Sequence, residues 1–541
     1  MSHTRDAMTH RSVVHSRAAR RFACRLAGRA AAVALALAGC GVAADPDGAP
    51  TEVRIAAAAV NPLPSRADVV AAMRRANENW IVNHSDPANA DWAPATYSEG
   101  NMAMVGAYPD PMYLGYTLRW ATANNWALID GATTRNADHQ CAGQTYVDAY
   151  RRDPQPVRIA MIEADLANML ATTAVNDWWW VDALQMAMPV FARFAVLRND
   201  TRYADRMYQM YSWTKRSQGG GLYDTGHHLW WRDSSFLTQR APNGQPVFWA
   251  RGNGWVLAAH ARAIDELDRR SVVDPHRDEY VQTFRDMAAA LAALQQPTGF
   301  WPPNLLDPAS PSGPETSGTA LFTYGLAWGV HHGLLDAATY LPIIDRGWRA
   351  MVNVAIDATG KLGYIQPVGV GPAGVATAAD NYDFGVGAFL LAGGELLALA
   401  PGVLPPTVSS RNLAPGGVAI ASAQQTGNEA AGAIDNDLTT RWSAQTFPQS
   451  LTVDLGAVKT ASGVEIVALA QRAYRFRVEI STDSVSWTTA VNDPANTETS
   501  PFLSRPFAAP RPARYVRLTV TGVAGNVTPW VSIVEFRVLA P

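Results

Sequence analysis

Four segments of this chain carry residues whose types and spacing could do chemistry. The first is Trp178-Trp179-Trp180-Val181-Asp182-Ala183-Leu184. It sets one aspartate inside an apolar, aromatic helix start. Burial there would disfavour the carboxylate and raise its pKa, so that Asp182 could hold a proton near neutral pH and act as a general acid. The bland alternative is a helix-end carboxylate satisfied by local amides. The second is Phe248-Trp249-Ala250-Arg251-Gly252-Asn253-Gly254-Trp255. Its glycines would let backbone and the Arg251 guanidinium approach a ligand, and arginine pairs bidentately with carboxylates. A tight turn before a helix, with Arg251 paired internally, is the alternative. The third, Glu315-Thr316-Ser317-Gly318-Thr319-Ala320, offers the hydroxyls of Thr316 and Ser317 where a helix opens, a place that suits an anion or plain capping. The fourth is His227-His228-Leu229-Trp230-Trp231-Arg232-Asp233. Adjacent histidines rarely chelate one metal, and no spaced His/Asp/Glu set accompanies them, so a metalloenzyme is not expected.

The elements that must position these segments read as helices. Ser65 can cap a first helix, with Asp68 in its positive first turn. Val69, Met73, Ala76 and Trp80 follow at helical spacing. Further helices are predicted at 98–108, 111–125, 140–151, 156–171, 178–197, 201–216, 251–269, 277–295, 316–333, 339–355 and 384–399. Twelve helices make six hairpins that must bury their apolar stripes, which an (α/α)6 barrel over 65–400 achieves. A superhelical solenoid is the alternative, and the lack of a fixed repeat speaks against it. Prolines at 401, 405 and 406 mark a linker over 401–410. Beyond it the period becomes two, as in Leu451–Leu455, Val464–Val467, Phe476–Ile480 and Tyr515–Val520, which predicts an all-β, jelly-roll-like sandwich over 411–541.

The chain has 541 residues, 48% hydrophobic and 17% charged, with a formal net charge of −3. That composition excludes a disordered chain and allows two to four domains. Residues 1–39 hold seven arginines and one aspartate, a net +6, so their removal would leave −9. An acidic chain without a basic run is not built for nucleic acid. The apolar run Ala30–Ala38 is too short to span a bilayer and reads as the core of a secretory signal. It ends in Leu37-Ala38-Gly39-Cys40, which resembles the lipobox of bacterial lipoproteins. That resemblance implies cleavage before Cys40 and its lipidation. Residues 40–64 would then be a lipidated tether holding the protein to the cell envelope, with the outer membrane favoured. The other two cysteines are Cys24, lost with the signal, and Cys141, expected to be buried.

Taken in order, Asn136-Ala137-Asp138-His139-Gln140, Trp179–Leu184, His228–Asp233, Trp249–Trp255, Glu315–Thr319, Gly325–Asp336 and Gly385–Leu391 resemble glycoside hydrolase family 105. These are the unsaturated rhamnogalacturonyl hydrolases, related to the unsaturated glucuronyl hydrolases of family 88. The resemblance covers residues 66–400 and implies an (α/α)6 barrel. It implies removal of a 4,5-unsaturated uronic acid from lyase-generated oligosaccharides, with no catalytic cofactor. It also implies Asp182 as proton donor, Asp138 as a second aspartate near the reacting ring, and His228 (or its neighbour His227) and Arg251 as substrate contacts. Trp255 would be an aromatic contact and Trp301 a further stacking candidate. The alternatives are a glucuronyl hydrolase and a glycan-binding protein on an inactive barrel. The tail segment Ala433–Trp442, with Val453–Gly456, Arg514–Arg517 and Ile533–Phe536, is similar to discoidin, or coagulation-factor type C, modules, including family 32 carbohydrate-binding modules. Such a module implies a glycan partner, with Tyr474, Phe447 and Trp530 as stacking candidates. It also implies a structural Ca²⁺, for which Asp435, Asp437, Thr440 and Glu535 are hard oxygen ligands.

Overall fold

The computed structural model describes residues 62–525 and 528–541. The signal segment and Cys40 lie outside the described residues. Twelve long helices follow one another: α1 (Arg66–Asn83), α2 (Trp92–Ala107), α3 (Pro111–Ala123), α4 (Ala142–Arg152), α5 (Val157–Leu170), α6 (Asp182–Leu197), α7 (Thr201–Arg216), α8 (Ala250–Leu267), α9 (Arg277–Leu294), α10 (Thr316–His331), α11 (Ala337–Ala350) and α12 (Asp383–Leu399). Ser65 caps α1 by accepting from the Asp68 amide, and α11 runs on as a π-turn to Ala355.

The even-numbered helices close a ring, in which α2 packs on α4, α4 on α6, α6 on α8, α8 on α10, α10 on α12 and α12 on α2. Each odd-numbered helix packs outside a ring member. Burial follows: every residue from Thr316 to Gly329 of α10 is buried, whereas the outer α9 keeps a polar face. Glycines set how closely the ring closes. A Cβ on Gly100 of α2 would lie 2.1 Å from the Gly387 carbonyl oxygen of α12, so only glycine permits that helix contact. Alternation of inner and outer helices sends all six inner N-termini to one end. The loops that gather there carry the chemistry. Among the described residues, no helix is long and apolar enough to cross a membrane.

The C-terminal region is an antiparallel sandwich of β1 (Val418–Ala421), β2 (Trp442–Gln445), β3 (Gln449–Ala468), β4 (Tyr474–Ser481), β5 (Thr488–Asp493), β6 (Phe502–Val523) and β7 (Trp530–Leu539). The strand order is β2-β7-β3-β6-β4-β5, with β1 on β3. The segments 451–455 and 464–467, which read as separate strands, are two ends of β3. Register breaks against β6 let one strand turn a corner and serve both ends of the sheet.

The proline segment does not swing free. Tyr108 donates to the Pro406 carbonyl at 2.9 Å, and Ser409 donates to Asp110 through both its amide and its hydroxyl. Arg537 of β7 is fully buried between the two parts, donating to Glu78 and to Glu465 at 3.1 Å each, while Arg74 bonds the same two carboxylates. Burial alone would raise the Glu78 pKa; Arg74 and Arg537 instead pull it down to about 2. Barrel and sandwich are locked by an ion network whose members cannot be removed singly without stranding a charge.

Candidate active site

Asp182 is the first residue of α6, and what precedes it is not helix. The segment 178–181, expected to begin a helix, lies outside it: Trp180 bridges Asp233 antiparallel, and the Val181 amide donates to the Arg232 carbonyl at 2.9 Å. That pairing carries the Arg232 side chain to Asp182, Nε lying 3.4 Å from Oδ2. The short strand Leu229–Trp230 that leads to Arg232 is pinned in turn by Asn253 of α8. Its side chain accepts from the Trp230 amide at 2.8 Å and donates to the Trp230 carbonyl at 3.0 Å.

Asp138 lies in the short turn Ala137–Gln140 before α4, capped by Asn136. With Arg232, Trp179, Trp180 and Asn136 it lines a cavity of ≈ 420 Å³. Burial, then the negative charges of Asp182 and Asp91, push the Asp138 carboxyl up to about 7, against the pull of Arg232. Burial also raises Asp182, while Arg232 and Arg251 draw it back. Both carboxyls are thus pushed toward the protonated form beside the Arg232 cation. Asp182 Oδ2 and Arg232 Nε are buried and make no hydrogen bond. Trp179, 48% exposed, stands over the Arg232 guanidinium at 5.5 Å and offers the flat apolar face a sugar ring needs.

Arg251 sits deeper than a ligand contact requires. It is sandwiched between Trp249 (4.5 Å) and Phe384 (4.7 Å) and donates to the carbonyls of Gln366 (2.5 Å) and Pro367 (2.8 Å). Burial lowers its pKa to about 10, opposed by Glu315 and Asp182. Here it holds the 366–367 loop and presents a positive field to Asp182. The neighbouring glycines serve packing rather than ligand approach: a Cβ on Gly254 would lie 2.8 Å from Leu321 of α10.

Other expected contacts fall elsewhere. Thr316 donates to the Gly363 carbonyl and Ser317 to Glu315, and both are fully buried. The anion at the α10 N-terminus is Glu315 itself, accepting from the amides of Ser317 and Gly318. Trp301 is buried in the core with Nε1 donating to Leu291, and Trp255 packs edge-on to Trp92, so neither offers a stacking face. His227 and His228 sit on the hairpin 223–230 that leads into Arg232. His228 takes a left-handed backbone (φ 56°) and bonds Tyr223; His227 faces Asp224. Sequence reasoning quoted Arg232 and Trp179 within longer segments without giving either a role. The Arg-Asp pair ending the histidine segment was the available signal.

A larger cavity of ≈ 800 Å³ opens at the opposite end of the ring, but its acids are already matched by arginines: Glu266 by Arg151, Asp148 by Arg193, Glu99 by Arg262. His331, His332 and Glu395 cluster there. His331 bonds Glu395, and His332 faces Asp265.

In the sandwich, Glu535 is fully buried with both carboxylate oxygens free of hydrogen bonds, and it faces Asp435 and Asp437. Burial pushes it up to about 8. The Thr440 hydroxyl has one proton but lies within 3.0 Å of Gly432 O, both Asp435 oxygens and Asp437 O. So many oxygens around so few protons fit a hard cation. Tyr474, a stacking candidate, is buried with its hydroxyl on Trp530 O; Phe447 and Trp530 are half-buried.

A ring of inner helices with a carboxylate pair at its N-terminal mouth, joined to a discoidin-type sandwich, defines a carbohydrate-active hydrolase. Residues 67–400 match the Glycosyl Hydrolase Family 88 model and residues 418–536 the F5/8 type C domain. The chain belongs to glycosyl hydrolase family 88 and is a glycoside hydrolase. It is 32% identical over 334 residues to an unsaturated 3S-rhamnoglycuronyl hydrolase of Formosa agariphila (58% of this chain, 85% of that one). It is 30% identical over 328 residues to a protein of the same name from an Alteromonas species (57% and 77%). A solved family 88 hydrolase of Bacteroides vulgatus superposes with a TM-score of 0.58 at 34% identity, covering 62% of this chain and 99% of that one. Family 105, the resemblance expected from sequence, is met in a solved structure from Salmonella enterica described as a possible member. At 21% identity and a TM-score of 0.50, it shows the fold alone.

Proposed function

We propose that the enzyme removes a 4,5-unsaturated uronic acid from the non-reducing end of lyase-generated oligosaccharides, with a rhamnose-bearing aglycone favoured. The observation that carries this reading is a pair of aspartates, Asp138 and Asp182, both pushed toward the protonated form around Arg232, with Trp179 exposed over that guanidinium. The double bond and ring oxygen of such a uronate form a vinyl ether. A carboxylic acid protonates C4, leaving positive charge shared by C5 and the ring oxygen. Water adds its oxygen to C5 and returns a proton to the carboxylate. The hemiketal opens to a ketone, C1 becomes a hemiacetal, and its collapse expels the aglycone as an alcohol. One water is consumed, and no carboxylate nucleophile is required, unlike the usual two-carboxylate glycosidase.

Asp182 is the donor in this reading, with Asp138 as its partner. Arg232, which donates to Asp233 at 2.7 Å and also lines the cavity, meets the uronate carboxylate there. Neutralising that cation raises the Asp182 pKa, so binding favours the protonated, donating form. Arg232→Ala, which removes the carboxylate contact, should therefore raise KM. Unchanged kinetics would remove Arg232 from the site.

Elimination abolishes the C4 and C5 stereocentres, so glucuronate and galacturonate give the same unsaturated ring. Choice among lyase products then lies in the aglycone. The rhamnoglycuronyl names of the two relatives support a rhamnose neighbour, and a family 105-type rhamnogalacturonan product fits the same chemistry. Two further readings belong here. Asp435, Asp437, Thr440 and Glu535 hold a structural Ca²⁺, with the sandwich binding a glycan. Cys40 is lipidated and anchors the enzyme to the envelope; a labelled fatty acid should enter the wild type and not Cys40→Ala.

A further inference from the structure

A second cavity of ≈ 480 Å³ opens beside the mouth, between the end of α1, the 84–88 loop, α3 and the start of α12. Trp80, Tyr97, Tyr116, Trp120 and Tyr382 wall it. The rings are fixed: Trp80 stacks on His84 at 3.6 Å, and Tyr97 meets Tyr116 at 90°. The covering loop is held by α3, with Tyr116 donating to His84 O, Arg119 to Ser85 O and Trp120 to Asn89 O. Such a cavity is preformed, of ligand size, and rich in flat apolar faces with polar groups at its edge. Phe384 links it to the site: it follows Asp383 of the wall, stacks on Tyr382, and packs on the Arg251 guanidinium at 4.7 Å.

We propose that this cavity is a carbohydrate subsite for a neutral pyranose of the aglycone. The aromatic faces suit the apolar side of a hexose or deoxyhexose, and Asp86 and Asp383 suit its hydroxyls. An acidic sugar is disfavoured. The one cation in the wall, Arg119, is committed to Ser85 O, Thr439 and Asp437, leaving two carboxylates facing the occupant. The subsite rests on the proposed reaction, and it supplies the aglycone selection that elimination removes from the uronate.

The test uses Ala88→Trp, an exposed substitution at the rim that fills the cavity, with Tyr116→Ala as the second variant. Two substrates are compared: an unsaturated uronate on a rhamnose-containing oligosaccharide, and the same uronate on nitrophenol. Both variants should lose about tenfold in kcat/KM on the oligosaccharide, through KM, and keep wild-type rates on the aryl uronide. Equal effects on both substrates, or none, would overturn the subsite. Tryptophan fluorescence titrated with methyl rhamnoside needs no turnover. Saturable quenching in wild type that is lost in Ala88→Trp supports the subsite, and no quenching in wild type overturns it. If wild type turned over neither uronate, the proposed reaction would fail while the titration still judged the cavity.

Discussion

Two groups of carboxyls in this chain are alike in being pushed up from the ordinary carboxylate range, and they differ in their surroundings. At the barrel mouth, Asp138 and Asp182 share their space with Arg232, Arg251 and an open cavity. In the sandwich, Glu535, Asp435 and the backbone around Thr440 present oxygen to oxygen. A third site calibrates both: Glu78, more deeply buried than Asp138, Asp182 or Asp435, is neutralised by Arg74 and Arg537 and held at about 2. Burial alone therefore does not make an acid catalytic. A cation held beside raised carboxyls, with room for a substrate, suits proton chemistry. Crowded oxygens without room suit the proposed Ca²⁺, and full pairing leads to structure.

The contrast can be broken at its strongest point first. Asp182→Asn should lower kcat by about 10²–10⁴-fold while oligosaccharide binding is kept, as loss of a general acid does. Single-turnover rates with equilibrium binding will read this, and a tenfold loss or less would move the proton to another group. At the paired site, Arg537→Ala should destabilise the protein by about 3–5 kcal/mol, because Glu78 and Glu465 are left with Arg74 alone. Denaturant melts that match wild type would show the network to be dispensable.

The metal reading gives a smaller effect. Ca²⁺ at a hundredfold over its Kd should stabilise the protein by about 2.7 kcal/mol. Glu535→Gln should abolish that response while melting no lower than metal-free wild type, since it removes an unpaired buried acid. The smallest effect is in pH. With the Asp138 carboxyl pushed up to about 7, the rate should fall as pH rises through about 7. Asp138→Asn removes a neighbouring negative charge, so the alkaline limb of the surviving acid should move down. An upward move would reverse the assigned roles.

Much of this was legible in the sequence. Helical periodicity located all twelve helices, and Ser65 with Asp68 marked the first start to the residue. Asp182 was legible because an acid in an apolar context states its own environment. The tryptophans were not. Trp179, Trp255 and Trp301 look alike in sequence, and only the segment 178–181, outside the helix and bridged to Asp233, leaves Trp179 exposed while the others sink into the ring. Arg232 escaped notice for the same reason: its partner stands fifty residues earlier, and a bridge between two loops has no local signature. The glycines of the Arg251 segment read as ligand-approach residues because sequence cannot show that Leu321 lies against them.

The central claim is vinyl-ether hydration by the Asp138–Asp182 pair. Its most direct test follows the ultraviolet absorbance of the conjugated uronate in a lyase-generated, rhamnose-containing oligosaccharide, with wild type and Asp182→Asn side by side. The account predicts loss of the band with release of the intact aglycone in wild type, and a flat trace in the variant. Release of the aglycone with the band retained, or equal loss in both proteins, would contradict it.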